Sequence, residues 1–178
     1  MPMKKIRVVV VDDSLVMREA IAMGLAADAG LEVVGKASNP YEARDMIVDL
    51  EPDVLTLDVE MPRMSGIEFL KLLMPQYPMP VVVVSSQSNI VFEAMNAGAV
   101  DFVAKPGVRS QREVNSFIQE LVVKIKIASL AKVSHMKRGG TAQRIAGGRC
   151  CDKGIIAIGA STGGTEATLQ VLKAFPPD

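Results

Sequence analysis

The segment VVVVDD at residues 8–13 joins an apolar run directly to two carboxylates, and the segment VLTLD at residues 54–58 repeats the arrangement. Short apolar runs of this kind are typical of strands that are buried on both faces, as in parallel sheets. Charge at the end of such a strand lies at the sheet edge where open α/β folds bind ligands. Asp12, Asp13 and Asp58 would repel one another there unless a cation lay among them. The two segments therefore predict a metal pocket suited to phosphoryl chemistry.

The first 125 residues alternate between predicted strands and helices. The predicted strands cover residues 6–11, 31–35, 54–57, 80–85 and 101–104. A helix is expected after each strand, with N-terminal caps at Ser14, Asn39, Ser65 and Ser110. Alternation of this kind indicates a parallel sheet with helices on both faces. We predict an α/β fold of the flavodoxin-like (βα)5 type with strand order 2-1-3-4-5, which brings the three aspartates to one edge.

Charge divides the chain into segments. Residues 1–123 carry 11 basic and 17 acidic side chains, whereas residues 124–153 carry 8 basic and 1 acidic. The basic stretch loses the alternation and contains two Gly-Gly pairs, which is typical of a linker. An apolar run returns at residues 154–158, followed by a glycine-rich turn and a predicted helix over 165–175. We therefore predict a domain at 1–125, a linker at 126–152, and the incomplete start of a second α/β domain at 153–178.

Composition argues against several classes of protein. The two cysteines, Cys150 and Cys151, are adjacent, so they do not suggest a disulfide framework or a four-ligand metal site. The sequence has no signal-peptide pattern and no apolar run long enough to span a bilayer. We expect a cytoplasmic protein that is not inserted in a membrane.

Two further residues complete the chemistry that the aspartates suggest. A carboxylate that accepts a phosphoryl group needs a hard cation such as Mg²⁺, a fixed positive charge for the phosphoryl oxygens, and a hydroxyl donor. Lys105 follows the predicted fifth strand and suits the positive charge, while Ser85 ends the fourth strand and suits the hydroxyl. Ser86 is the alternative hydroxyl, and Ser85 is preferred because the strand ends there.

These positions resemble the response-regulator receiver family: Asp-Asp after strand one, Asp after strand three, Ser after strand four and Lys-Pro after strand five. The resemblance implies that Asp58 takes a phosphoryl group from a histidine kinase. It also implies that Asp13, Asp58 and the backbone carbonyl of Glu60 ligate Mg²⁺, with Asp12 acting through a water molecule.

The same resemblance implies two features near strand five. Phe102 occupies the aromatic switch position of the family, and the Lys105–Pro106 peptide bond is expected to be cis. Ser85 and Lys105 are implied to contact the phosphoryl group.

A second motif, Gly159-Ala-Ser-Thr-Gly163, lies between the predicted strand and helix near the end of the chain. Its spacing fits the G-x-S-x-G turn that exposes a nucleophilic serine, but a turn that holds a phosphate fits the pattern equally well. The receiver, linker and serine turn together resemble the protein-glutamate methylesterase family of chemotaxis. That resemblance implies Ser161 as the esterase nucleophile, with Thr162 beside it. The implied reaction is hydrolysis of methyl-glutamate esters on methyl-accepting chemoreceptors, and in many members also deamidation of glutamines.

The histidine and aspartate that such an esterase needs are expected beyond Asp178. The only histidine here is His135, which precedes the serine and lies in the predicted linker. We therefore expect the 178 residues to be an N-terminal piece without esterase activity of its own.

Two other functions stay open at this point. A standalone phospho-receiver would compete for the kinase without catalysis. A DNA-binding response regulator would use the basic stretch, but that stretch lacks a helix-turn-helix pattern and its glycine pairs disfavour a recognition helix, so no nucleic-acid partner is predicted.

Overall fold

The sheet has five strands, and the predicted order is confirmed. The computed structural model describes residues 4–107, 110–131, 133 and 168. The strands are β1 (Ile6–Val11), β2 (Leu31–Ala37), β3 (Val54–Asp58), β4 (Val81–Ser85) and β5 (Asp101–Ala104). All neighbours pair in parallel in the order β2-β1-β3-β4-β5. β2 is longer than predicted, because Gly35–Ala37 still pair with β1 after a shift in register.

Within the described residues, five helices cover the sheet: α1 (Leu15–Ala26), α2 (Pro40–Leu50), α3 (Gly66–Leu73), α4 (Val91–Asn96) and α5 (Gln111–Ala128). A single 3-10 turn, Ser88–Ile90, precedes α4 and makes that helix shorter than predicted. The predicted caps accept backbone N–H groups as expected. The most complete is at α3, where Ser65 Oγ accepts from Glu68 N and Glu68 Oε2 accepts from Ser65 N.

Two apolar layers lie on opposite faces of the sheet. Val9 and Val11 belong to the layer that includes buried residues of α2, α3 and α4, whereas Val8 and Val10 belong to the layer that includes those of α1 and α5. Both faces are covered, so the strands need apolar residues at every position rather than at alternate ones. This explains the continuous valine runs of the sequence and leaves the ends of the strands as the place for polar side chains.

One expectation about the backbone is wrong. Among the residues described, no peptide bond is cis, so the Lys105–Pro106 bond is trans. Lys105 N donates to Ser85 O at 2.9 Å, which continues the β4–β5 pairing, and the long lysine side chain reaches the sheet edge from this backbone.

The contacts between Cα atoms divide the chain into two units, Met1–His135 and Met136–Asp178. All the described residues except 168 lie in the first unit. His135, Cys150, Cys151, Ser161 and Thr162 lie outside the described residues. None of the helices that the structure describes is long and apolar enough to span a membrane.

Candidate functional site

Polar side chains meet at the carboxyl ends of four strands. Asp12 follows β1, Asp58 ends β3, Ser85 ends β4 and Lys105 follows β5. β1, β3, β4 and β5 are successive neighbours in the sheet, so these side chains lie close together. Asp12, Asp58 and Ser85 are each at most 1% exposed, which is unusual for such polar groups. The predicted convergence of these residues is present in the structure.

Lys105 lies between the two buried carboxylates. Its Nζ is 2.8 Å from Asp12 Oδ2 and 2.8 Å from Asp58 Oδ2, and its side chain is only 12% exposed. Both contacts are ion pairs at hydrogen-bond distance, and neither Oδ2 atom has a further hydrogen-bond partner among the residues described. One ammonium thus faces two buried carboxylates, which leaves an excess of negative charge.

The second oxygen of each buried carboxylate is held by the backbone. Asp12 Oδ1 accepts from Ser14 N at 2.9 Å, and Asp58 Oδ1 accepts from Glu60 N at 3.1 Å. The Oδ1 atoms are therefore occupied by the chain itself. Each carboxylate keeps its Oδ2 atom for the pocket.

A metal ion fits the cluster. Asp12, Asp13 and Asp58 each offer one carboxylate oxygen, and these oxygens lie within 4.8 Å of one another. Asp13 is exposed, whereas the other two are buried, so the cluster opens to solvent on one side. Carboxylate oxygens are among the oxygen ligands that a hard divalent cation prefers, and a cation here would offset the repulsion between the two buried carboxylates. The residues present therefore suit a cation such as Mg²⁺.

The two candidate hydroxyls differ in burial. Ser85 is fully buried and its Oγ accepts from Gln87 N at 3.1 Å. Ser86 is exposed, and its Oγ donates to the carboxylate of Glu60. Ser85 thus lies with the buried pocket residues, and Ser86 belongs to the rim.

Glu60 has a side-chain contact that sequence reasoning missed. Its Oε1 accepts from Gln87 Nε2 at 2.6 Å, and Ser86 Oγ donates to its Oε2. These bonds from Ser86 and Gln87 hold the pKa of the Glu60 carboxyl below its usual value. The side chain thus joins the loop after β3 to the loop after β4. No spacing rule links residues 26 and 27 positions apart.

Gly66 is a second residue that sequence reasoning did not single out. A Cβ atom at this position would lie 2.0 Å from the backbone oxygen of Asp58. Gly66 N also donates to Val59 O at 3.0 Å, so the chain after β3 folds back onto itself. Arg63, in the same loop, has a positive φ of 71°, a conformation that few side chains favour. A glycine in the loop after Asp58 was the available signal.

Phe102 is the second residue of β5. Its side chain is 3% exposed and packs in the apolar layer that includes α3 and α4. The structure therefore shows a buried aromatic at the predicted switch position, with its side chain turned inward.

Burial changes the proton affinities of the pocket. The pKa of the Asp58 carboxyl is raised above its ordinary 3.8, because burial disfavours the charged form and Asp12 adds repulsion, against the opposing contacts with Lys105 and Glu60 N. Burial alone would lower the pKa of Lys105, but its contacts with Asp12 and Asp58 outweigh that effect and raise it. The lysine is therefore charged at neutral pH, and the Asp58 carboxyl is harder to ionise than an ordinary aspartic acid.

This shift predicts a pH dependence for the metal-free chain. A carboxyl whose pKa is raised in the folded state stabilises the fold at low pH. This contribution to the free energy of unfolding is lost as the pH rises through the pKa of the folded state. Asp58→Asn removes the effect, so the variant should gain stability relative to the unmodified chain as pH rises from about 4 to neutral. Urea unfolding in a chelator at several pH values measures the difference. A difference that is the same at every pH would contradict the assignment.

Comparisons with known proteins identify a matching family and similar relatives. A family described as the response regulator receiver domain matches residues 8–115. A protein-glutamate methylesterase/protein-glutamine glutaminase of Syntrophomonas wolfei is 52% identical over 180 residues, which cover 100% of this chain and 52% of that protein. A protein with the same description from Syntrophotalea carbinolica is 52% identical over 185 residues, covering 97% of this chain and 52% of its own length. The chain thus spans about half the length of these curated relatives.

Solved structures show the same fold. The response regulator domain of Thermotoga maritima CheB is 39% identical with a TM-score of 0.68, and the match covers 72% of this chain and 99% of that one. The chemotaxis response regulator CheY4 of Vibrio cholerae is 25% identical with a TM-score of 0.58, covering 68% of this chain and 99% of that one.

Proposed function

Because the chain belongs to the response regulator receiver family, we propose that its described part is a switch that accepts a phosphoryl group on Asp58. The observation that carries this proposal is the pair of buried Oδ2 atoms, on Asp12 and Asp58, that share the single ammonium of Lys105 and have no other partner among the residues described. An isolated structural ion pair would leave no reason to bury a second carboxylate beside the first. A site that binds a cation and a phosphoryl group gives such a reason, because the cation can use more than one carboxylate.

Each pocket residue has a distinct proposed role. Asp13, Asp58 and the backbone carbonyl of Glu60 would ligate Mg²⁺, with Asp12 acting through a water molecule. The ion would neutralise charge on the phosphoryl oxygens when bound. Lys105 would pair with one of those oxygens and the Ser85 hydroxyl would donate to another. The buried Phe102 would respond as the switch residue.

The proposed donor is the phosphohistidine of a chemotaxis histidine kinase. The bond between phosphorus and the imidazole nitrogen breaks, and a bond forms between phosphorus and a carboxylate oxygen of Asp58. The imidazole takes a proton from solvent, so charge balances without another cofactor. Lys105 and Ser85 are already held at the pocket by strands β5 and β4, which lowers the cost of ordering them during transfer.

The central test is phosphorylation of the chain by a small phosphodonor with Mg²⁺. Asp58→Asn should abolish the added mass of one phosphoryl group in intact-protein mass spectrometry, and a chelator should abolish it in the unmodified chain. Asp45→Asn is the matched control, since Asp45 is exposed on α2 and pairs only with its neighbour Arg44 among the pairs described. Normal phosphorylation of Asp58→Asn would exclude Asp58 as the acceptor.

The output of the switch is proposed to be an esterase. The curated relatives are called protein-glutamate methylesterases and protein-glutamine glutaminases, and they match this chain over nearly its whole length. We propose Ser161 as the nucleophile and Thr162 as its neighbour in a carboxylic ester hydrolase that acts on methylated glutamates of chemoreceptors and deamidates glutamines. The linker at 126–152 and the domain start at 153–178 belong to the same proposal.

The 178-residue chain by itself should not demethylate receptors. The test uses membranes that contain methyl-labelled chemoreceptors and follows release of methanol. Turnover that Ser161→Ala abolishes would show that the chain is catalytically complete. In a protein of the relatives' full length, a phosphodonor should raise the rate, and equal rates with and without it would refute the coupling.

The setting of this switch is proposed to be the cytoplasm, where kinase and receptor tails would meet it, and cell fractionation tests that placement. A DNA-binding output is less well supported, because the curated relatives carry esterase names. A salt-sensitive gel shift by the chain would revive the DNA-binding function.

A further inference from the structure

Among the residues that the structure describes, β5 lies at the end of the sheet and pairs with β4 on one side only. A free strand edge exposes backbone groups that can pair with another chain, so proteins usually cover or block it. Here both edge groups of Phe102 are satisfied by side chains. Phe102 N donates to Asp101 Oδ1 at 2.7 Å, and Lys124 Nζ donates to Phe102 O.

Lys124 comes from α5 and closes this arrangement. Its side chain is only 11% exposed. Its three N–H donors have three acceptors: Phe102 O, Asp101 Oδ1 at 3.0 Å and Glu120 Oε1 at 3.2 Å. We call Asp101, the Phe102 backbone and Lys124 the edge clasp. It is a closed set of bonds, because Asp101 accepts from both of its partners.

The edge clasp holds the strand that also carries the pocket lysine. Lys105 directly follows β5 and contacts Asp12 and Asp58. Phe102 lies three residues earlier, with its side chain in the layer of α3 and α4 and its backbone bonded to α5. A short strand of four residues is thus fastened at its pocket end by one lysine and at its outer edge by another. Because β5 is so short, a movement of Lys105 would be transmitted through the strand directly to the edge clasp.

We propose that Lys124 is a positioning residue that couples the phosphoryl site to helix α5 through the edge clasp. The inference rests on the proposed phosphoryl-accepting function of Asp58. When a phosphoryl group draws Lys105 towards itself, β5 shifts, and the bonds of Lys124 to Phe102 and Asp101 carry the change to α5. Helix α5 is the last helix whose bounds the structure gives, so a change there lies next to the part of the chain that follows residue 131.

Amide hydrogen exchange on the full 178-residue chain, with and without beryllofluoride and Mg²⁺ as a phosphoryl mimic, tests the proposal. In the unmodified chain the mimic should change exchange both in the loops after β3 and β4 and in residues 120–128 of α5. In Lys124→Met the loops should still respond, while the response of α5 is lost. A residue that merely stabilised the fold would lower protection in both states alike and leave the response to the mimic unchanged.

Controls separate the possible failures. Glu120→Gln removes an ion pair to the same ammonium but no contact with β5, and should keep the α5 response. Lys124→Arg should restore it, and Asp101→Asn, which weakens the clasp from the strand side, should reduce it even if Lys124→Met does not fold. An α5 response in Lys124→Met equal to that of the unmodified chain would overturn the coupling. Absence of any loop response in the unmodified chain would instead refute the phosphoryl site, and the coupling with it.

Discussion

Lys105→Met is expected to lower the free energy of unfolding of the metal-free chain by about 3 kcal/mol at neutral pH. The substitution keeps much of the stem volume but removes the ammonium that lies 2.8 Å from both buried carboxylates. Two like charges would then share a buried site without compensation, and this is more costly than the loss of an ordinary ion pair. Denaturant unfolding in a chelator measures the change.

Two further measurements identify the cause of that loss. Mg²⁺ should recover part of the stability, because the ion supplies positive charge to the same oxygens, and phosphorylation by a small donor should slow about 100-fold. Lys126→Met is the matched control: Lys126 forms an ion pair with Asp28 at the surface of the same chain, so its loss should cost no more than about 1 kcal/mol. Equal effects of the two substitutions would show that the pocket charges do not depend on Lys105.

Gly66→Ala should strongly disrupt the loop after β3, although it adds only one methyl group. The added Cβ would lie 2.0 Å from Asp58 O, and that obstacle is backbone, which cannot turn aside as a side chain can. We expect a loss of about 3 kcal/mol in stability, with phosphorylation of Asp58 strongly reduced because the acceptor's own peptide must move. Thermal unfolding and the phosphodonor assay measure the two effects.

Gly107→Ala is the control for this substitution. No atom of the described residues lies within 4 Å of a Cβ at Gly107, so the same chemical change should be nearly neutral there. If Gly66→Ala were as stable and as reactive as Gly107→Ala, the loop after β3 would have to be free to rearrange, and its role in fixing Asp58 would be refuted.

The sequence allowed the fold and the pocket residues to be predicted because their signals are local. Valine runs at β1 and β4 mark strands buried on both faces, and a polar residue at the end of each run, Asp12 or Ser85, marks the binding edge. The parallel order then brings Asp12, Asp58, Ser85 and Lys105 together without any knowledge of their side-chain contacts. Their roles towards Mg²⁺ and a phosphoryl group stay predictions.

The features that escaped prediction depend on contacts between distant segments. The bridge from Glu60 to Gln87 and the bond from Lys124 to Phe102 join residues 27 and 22 positions apart, and neither pair follows a helical or strand period. Gly66 matters because of one backbone oxygen that approaches it, which no composition rule reveals. The trans Lys105–Pro106 bond differs from the family expectation, although the lysine still reaches the pocket.

The division of the core into two layers has an evolutionary consequence. Val9 and Val10 are neighbours in the chain, yet they pack into different layers. Substitutions on opposite faces of the sheet share few partners, so their effects on stability should be close to additive. Each layer can therefore acquire substitutions during evolution, and a loss of stability in one layer can be offset by further substitutions in that same layer. Asp12, Asp58 and Lys105 have no such freedom, because each of them is placed by a strand that both layers hold.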